Sequence, residues 1–350
     1  MDVQACHGVS SGALLRAARL AVFSSVVGVS MASTAAAAGI VYRGICEASA
    51  AALLDAKHFV VADDNQNVLH VYAFGTAAAV SPGLDLVDYL DTGVGNDGLR
   101  KKADLEAAAR VGDRIYWMGS HSRDSKGNRE ASRQRFFATP VTGGDRPQLA
   151  MPSVPPYRDL FKDLAVDARL TAIADAAARK VGPEQVGGLN IEGLAATPDG
   201  RLLIGFRNPL IDRNAIVLPI DNPDDVVAGR SKARFGEPML LDLGNRGIRS
   251  IDRVDDGYLI VAGPWGQVPA GSAGSDFALF AWSGKPGDRP RRWTNAPIGT
   301  LGPEALVPIP GTTSVLLISD DGDRCKAANT PAASRSFRTS VLDLATAAFR

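Results

Sequence analysis

Apolar runs in this chain are short, rich in β-branched and aromatic residues, and separated by turn residues. Five of them recur in similar surroundings: His58–Ala62, Ile115–Gly119, Leu202–Gly205, Tyr258–Ala262 and Val315–Ser319. Each follows a turn and a shorter strand-like segment. The plainest case is Asn190–Asn208, where Pro198, Asp199 and Gly200 separate a pair of apolar stretches. Proline presets φ and glycine tolerates positive φ, so this stretch reads as a β-hairpin.

The first strand of each hairpin opens on a charged residue: Glu47, Glu106, Glu192, Arg249 or Glu304. These openings lie 59, 86, 57 and 55 residues apart. A repeat of that length holding several short strands is the pattern of a β-propeller blade. The one long interval contains a helical period over residues 157–180. Leu160, Phe161, Leu164, Ala168, Ile173 and Ala177 fall near one face there, and Gly182 and Pro183 follow. This reads as a helical insertion, about 150–188, rather than a further blade. Third strands are expected at Val68–Phe74, Arg135–Val141, Ala215–Ile220, Phe277–Trp282 and Phe337–Leu344, and Asp85–Leu90 as the fourth strand of the first blade. A ring must pair its two ends, because an open strand edge invites aggregation. Gly39–Arg43 is the expected closing strand. The fold class predicted is all-β, a five-bladed propeller, with six blades as the alternative.

Composition adds bounds. The 350 residues are 45% hydrophobic, with 36 glycines and 21 prolines, enough for a large core joined by many turns. Formal net charge is zero and no Lys/Arg-rich run occurs, which argues against a nucleic acid or anionic membrane partner. Residues 1–38 differ in kind. Arg16 and Arg19 precede a short apolar stretch, and Ala36 and Ala38 fit an Ala-x-Ala cleavage pattern, as in a secretory signal peptide. The expected product is a single propeller domain, 39–350, periplasmic or secreted, monomeric and free of the membrane. Of three cysteines, Cys46 and Cys325 remain in it. They fall in the first and last blades at one end of the ring, so an oxidising compartment predicts a disulfide between them.

First strands line the central channel of a propeller, so the five opening residues converge. Glu47, Glu192 and Glu304 are the expected metal ligands, because converging carboxylates suit Ca²⁺ or Mg²⁺. Second-strand ends bring Asp63, Asp64, Arg123, Arg207, Asn208, Asp320 and Asp321 to the same mouth, and with Arg249 they form the expected ligand-binding set. Such a rim suits a small, anionic ligand held beside a cation. His121, beside Glu106, is the expected general base, and these two are the candidate catalytic residues. No zinc-type Cys/His spacing, Gly-x-Ser-x-Gly elbow or phosphate loop occurs. The competing expectation is a non-catalytic binding or interaction scaffold whose ring charges hold neighbouring blades together.

Leu105–Ala108, Gly119–Gly127, Asn190–Ala195, Gly205–Pro209 and Ile248–Asp252 resemble motifs of the bacterial domain-of-unknown-function 3616 family, in the same order along the chain. That resemblance implies an exported propeller and no particular activity. The Glu-Gly strand opening is more distantly similar to phytase-like esterase and gluconolactonase-like propellers. In the latter an inner-strand glutamate binds a divalent metal, and Glu192 or Glu47 is the matching position. These similarities imply, for a catalytic protein, a hydrolase of phosphoesters, esters or lactones.

Overall fold

The computed structural model describes residues 39–143, 147–266 and 276–350, so the expected leader, 1–38, lies outside the described residues. Five four-stranded antiparallel sheets make up the fold, each one blade of a β-propeller. The chain enters through β1 (Val41–Arg43). Blade one follows as β2 (Ala48–Leu53), β3 (His58–Asp63), β4 (Val68–Ala73) and β5 (Leu84–Asp85), then the short helix α1 (Val87–Leu90). Blade two is β6 (Leu105–Val111), β7 (Arg114–Gly119), β8 (Phe136–Thr142) and β9 (Gln148–Leu149). After it come helices α2 (Leu160–Leu164) and α3 (Thr171–Ala178). Blade three is β10 (Asn190–Ala196), β11 (Leu202–Asn208), β12 (Ala215–Ile220), helix α4 (Pro223–Val227) and β13 (Met239–Leu241). Blade four is β14 (Gly247–Val254), β15 (Gly257–Gly263), β16 (Ala278–Trp282) and β17 (Arg291–Arg292). Blade five is β18 (Pro303–Pro308), β19 (Ser314–Ser319), helix α5 (Gly322–Ala327) and β20 (Ser336–Asp343).

Strand β1 pairs with β20, Tyr42 opposite Phe337, so the first strand of the chain is the outer strand of the last blade. The innermost strands β2, β6, β10, β14 and β18 touch one another in that cyclic order. Period-two alternation builds the core between blades. In β7, Ile115 and Trp117 face a cluster shared with blade one, while Tyr116 and Met118 face one shared with blade three. Five such clusters occur, each between two adjacent blades. The ring is therefore stabilised by burial on both faces of every blade.

Two local expectations need correction. The insertion is not one helix over 157–180. A 3-10 turn, Ala168–Leu170, stands between α2 and α3. Asp167 is extended and its carboxylate accepts from Arg169 N at 3.1 Å, which competes with helix continuation. The apolar face slips accordingly: Leu160, Leu164, Leu170 and Ile173 are buried, whereas Ala168 is exposed. In blade one, the strand expected over Asp85–Leu90 stops at Asp85, whose carboxylate accepts from Val87 N at 2.8 Å and turns the chain into α1. Leu86 and Leu90, four apart, are then buried together by a helical turn.

Cys46 and Cys325 form a disulfide, with Cα atoms 6.5 Å apart and a separation of 279 positions in sequence. It joins blade one to α5 of blade five, beside the β1–β20 closure. The full chain, denatured without reductant, is expected to expose one reactive thiol, Cys6; three would overturn the pairing. Replacing both bridging cysteines with alanine should cost about 2–5 kcal/mol of stability, read from a denaturant midpoint.

Candidate functional site

Every innermost strand is broken by a β-bulge at the same level. Register shifts fall at Ser49 in β2, Glu106 in β6, Glu192 in β10, Arg249 in β14 and Glu304 in β18. A bulge leaves one residue without a partner and re-aims its side chain, and here it gathers one side chain per blade. The blade-one member is Ser49, a correction to the alignment that put Glu47 in the ring. Glu47 lies two residues earlier, level with Asp104 in blade two and Asn190 in blade three. Blades four and five have Gly247 and Gly302 there. The mouth is therefore built in two tiers, and its second tier is polar on only three blades.

The cavity at this mouth has a volume of about 540 Å³. Among the described residues, eight carboxylates line it, from Asp64, Asp104, Glu106, Glu184, Glu192, Glu304, Asp320 and Asp323, against four cations, Lys102, Arg133, Arg207 and Arg249. All four cations are committed. Lys102 Nζ is 3.0 Å from Asp104 and 3.3 Å from Asp64, and Arg133 is 3.3 Å from Asp104. Arg207 pairs with Glu192 at 3.0 Å and with Glu184 at 2.8 Å. Arg249 pairs with Glu192 at 2.7 Å and with Glu304.

Glu106 stands apart. It is 9% exposed, and among the described residues its carboxylate makes no hydrogen bond or ion pair, with only the nearby charge of Lys102 to offset its acidic neighbours. Oxygens of Asp64, Asp104 and Glu106 lie within 4.8 Å of one another. Burial, and then the charges of Asp104 and Asp64, push the Glu106 carboxyl well above its ordinary range. Burial does the same to Asp64, against the pull of Lys102. Asp104 goes the other way: Lys102 and Arg133 overcome its burial and hold it ionised. Burial, with Glu47 nearby, pushes Asp320 up to about 6.

Of the residues expected at the mouth, Asp64, Glu106, Glu192, Arg207, Arg249, Glu304 and Asp320 line the cavity. The expected ligand trio Glu47, Glu192 and Glu304 does not assemble. Glu192 and Glu304 are taken by Arg249, and Glu47 meets Lys326 Nζ at 2.5 Å under α5. Gly322 is required at that contact, because a Cβ there would collide with the Glu47 side chain.

His121 is also displaced from its expected role. It is 3% exposed, donates from Nδ1 to Gly119 O at 2.8 Å and packs edge-on against Phe161 of α2, with Nε2 buried and unpaired. Burial pulls it down to about 4, so it is neutral and faces the insertion, away from the cavity lining. The remaining four expected ligand-binding residues make structural contacts. Arg123 donates to Ala177 O and Ala178 O at the end of α3, and Asn208 to Pro183 O and Gln185 O. Asp63 accepts from Asn65 N, and Asp321 binds Arg338.

Lys102, Asp104, Ser122, Arg133, Glu184, Asn190, Phe277 and Asp323 line the mouth unanticipated. A signal existed for two of them: Asp104 and Asn190 both stand two residues before a ring glutamate. Lys102 and Arg133 come from loops that carry no repeat signature.

Residues 149–287 match the family described as "Protein of unknown function (DUF3616)". The resemblance read from the motifs is therefore shown over the insertion, blade three and blade four as far as β16. Motifs at 105–108 and 119–127 fall outside that span. Comparison with curated proteins finds no match. Among solved structures, a PQQ-bound aldose sugar dehydrogenase from Streptomyces coelicolor is 12% identical, with a TM-score of 0.40, over 88% of this chain and 100% of that one. A putative glucose dehydrogenase from Thermus thermophilus is 13% identical, with a TM-score of 0.40, over 87% and 100%. A GH43 endo-arabinanase from Bacillus licheniformis is 8% identical, with a TM-score of 0.39, over 85% and 94%.

Proposed function

We propose that the mouth is a cation-dependent binding site for a small ligand, in an exported propeller. The observation that carries this is Glu106: a nearly buried carboxylate without a partner among the described residues, aimed at Asp64 and Asp104. Asp64, Asp104 and Glu106, rather than Glu47, Glu192 and Glu304, would hold the ion, and an all-oxygen set suits Ca²⁺ or Mg²⁺. Lys102 shares that space, but its side chain is 32% exposed on a flexible stem and can give way. The charge count also bears on the ligand. With eight carboxylates against four committed cations, an anionic ligand needs the extra positive charge that a cation brings. A bound divalent ion supplies Lewis-acid polarisation of a carbonyl or phosphoryl oxygen, which supports the hydrolase reading for esters, lactones or phosphoesters. Asp320, near 6, replaces His121 as the acid–base candidate. The disulfide suits an oxidising compartment, in keeping with export.

A second reading rests on Lys102. If its ammonium is the permanent cation of the site, Glu106 stays protonated, and the mouth offers hydrogen bonds to a neutral hydroxylated ligand.

Thermal melts separate the two. A cation at a hundred times its Kd adds about 2.7 kcal/mol, so millimolar Ca²⁺ or Mg²⁺ should raise the melting temperature of chelator-treated protein. Glu106→Gln should abolish that rise. Without cation, Glu106 binds its proton more tightly folded than unfolded, so its contribution to stability falls as pH rises above the ordinary carboxylate range. Glu106→Gln should remove that decline and be the more stable protein at neutral pH. An identical melt with and without cation discards the first reading and keeps the second.

A further inference from the structure

Beside the mouth, at the same end of the ring, a second groove of about 490 Å³ opens between α3 and the segments that follow β11 and β15. Loop 182–188 is the wall between them. Its Glu184 pairs with Arg207 on the mouth side, while its Val186 and Gly187 line the groove. The loop is fixed by Asn208, which donates to Pro183 O at 2.7 Å and Gln185 O at 2.8 Å.

The groove differs in chemistry from the mouth. Its floor and side are apolar: Pro209, Leu210, Ile211, Val186 and the indole of Trp265. Val186 is 77% exposed, which leaves a large apolar side chain facing solvent at the rim. Arg179 and Arg213 also line it, and neither has an ion pair or side-chain hydrogen bond among the described residues. Among the described residues, Asp175 is the one lining carboxylate. Arg179 lies across Gly187, where a Cβ would collide with its guanidinium, and Gly187 has φ +73°. An aromatic and aliphatic surface flanked by two uncommitted guanidiniums matches an apolar body with one negative group. Guanidinium forks pair with carboxylate or phosphate, and the indole face takes the ring or chain.

We propose that this groove is a binding site for an aryl or alkyl group bearing one carboxylate or phosphate. The proposal stands whether or not a cation occupies the mouth.

Trp265 reports on it directly. The chain has four tryptophans, and Trp117, Trp282 and Trp293 are 0%, 3% and 5% exposed. Acrylamide quenching of the full chain's fluorescence therefore reads mainly Trp265. Phenyl phosphate or phenylacetate should protect it saturably, and whichever arm binds more tightly identifies the anion. Benzyl alcohol, of similar shape and no charge, should bind at least tenfold more weakly. Arg179→Ala and Arg213→Ala, both at exposed positions, should each weaken the favoured anion about tenfold, since a charged hydrogen bond contributes about 1.5–3 kcal/mol. Glu106→Gln should leave this binding unchanged, which keeps the test separate from that of the mouth. Equal protection by benzyl alcohol, no protection by either anion at millimolar concentration, or unaltered binding in both arginine variants would overturn the proposal.

Discussion

A protein that begins at residue 44 instead of 39 is expected to be strongly destabilised. Strand β1 is three residues long, yet it carries Tyr42, 1% exposed, into the cluster between blades five and one. The Tyr42 ring lies 5.3 Å from that of Phe59 and 5.4 Å from those of Tyr72 and Phe337. Removing one such aromatic side chain alone costs about 3–5 kcal/mol, a large share of the roughly 5–15 kcal/mol by which domains are stable. Deletion also uncovers the edge of β20 along Ser336–Arg338 and strips Thr339 of its bond to Ile40 O. An uncovered edge at the seam of a ring is an aggregation template. The expected result is a melting transition lowered by more than about 10 °C, or lost, with multimers on a sizing column, in the range that such a stability loss implies. Tyr42→Ala should give the milder form of the same defect. An unchanged melt in the deletion would mean that closure does not stabilise the ring.

Architecture was legible because it repeats. Each blade presents a hairpin whose second strand is buried on both faces, and that burden falls on contiguous β-branched and aromatic residues, as in Val315–Ser319. The site was legible only where it follows the repeat. Four of the five bulge residues can be named from the strand openings, since Glu106, Glu192, Arg249 and Glu304 hold equivalent places. Charge as a marker misplaces the fifth, because blade one carries its charge two residues early, at Glu47, with Ser49 at the bulge. Partner choice was not legible at all. Whether a ring glutamate is paired or unpaired depends on Arg207, which turns to Glu192 from the second strand of its own blade, and on Arg249, which reaches Glu192 and Glu304 from blade four. The repeat places both arginines but does not say which carboxylates they take. His121 shows the same limit. The repeat places it at the end of β7 but does not fix its direction, since the insertion supplies Phe161 for it to pack against.

Two glutamates in equivalent ring positions should respond to the same substitution with opposite signs. Glu192 is 4% exposed, and its carboxylate joins two blades: one oxygen accepts from Arg207 at 3.0 Å and Asn190 at 2.6 Å, the other lies 2.7 Å from Arg249. Both guanidiniums are buried with it, Arg249 at 6% and Arg207 at 7% exposure. Removing one partner from a buried pair is costly because the remaining charge has lost its compensation, typically about 3–5 kcal/mol. Each arginine keeps one other carboxylate, Glu184 for Arg207 and Glu304 for Arg249, so the lower end, about 3 kcal/mol, is expected for Glu192→Gln. Loss of a pair that spans β10, β11 and β14 should appear with and without added Ca²⁺ or Mg²⁺. Glu106→Gln removes instead a carboxyl that burial and its neighbours already penalise, so its stability at neutral pH should rise while its cation response disappears. Denaturant midpoints of the two variants, each with chelator and with millimolar cation, decide the matter. If Glu192→Gln loses stability only when cation is present, Glu192 is a ligand to the ion and the division of the ring between paired and unpaired glutamates is wrong.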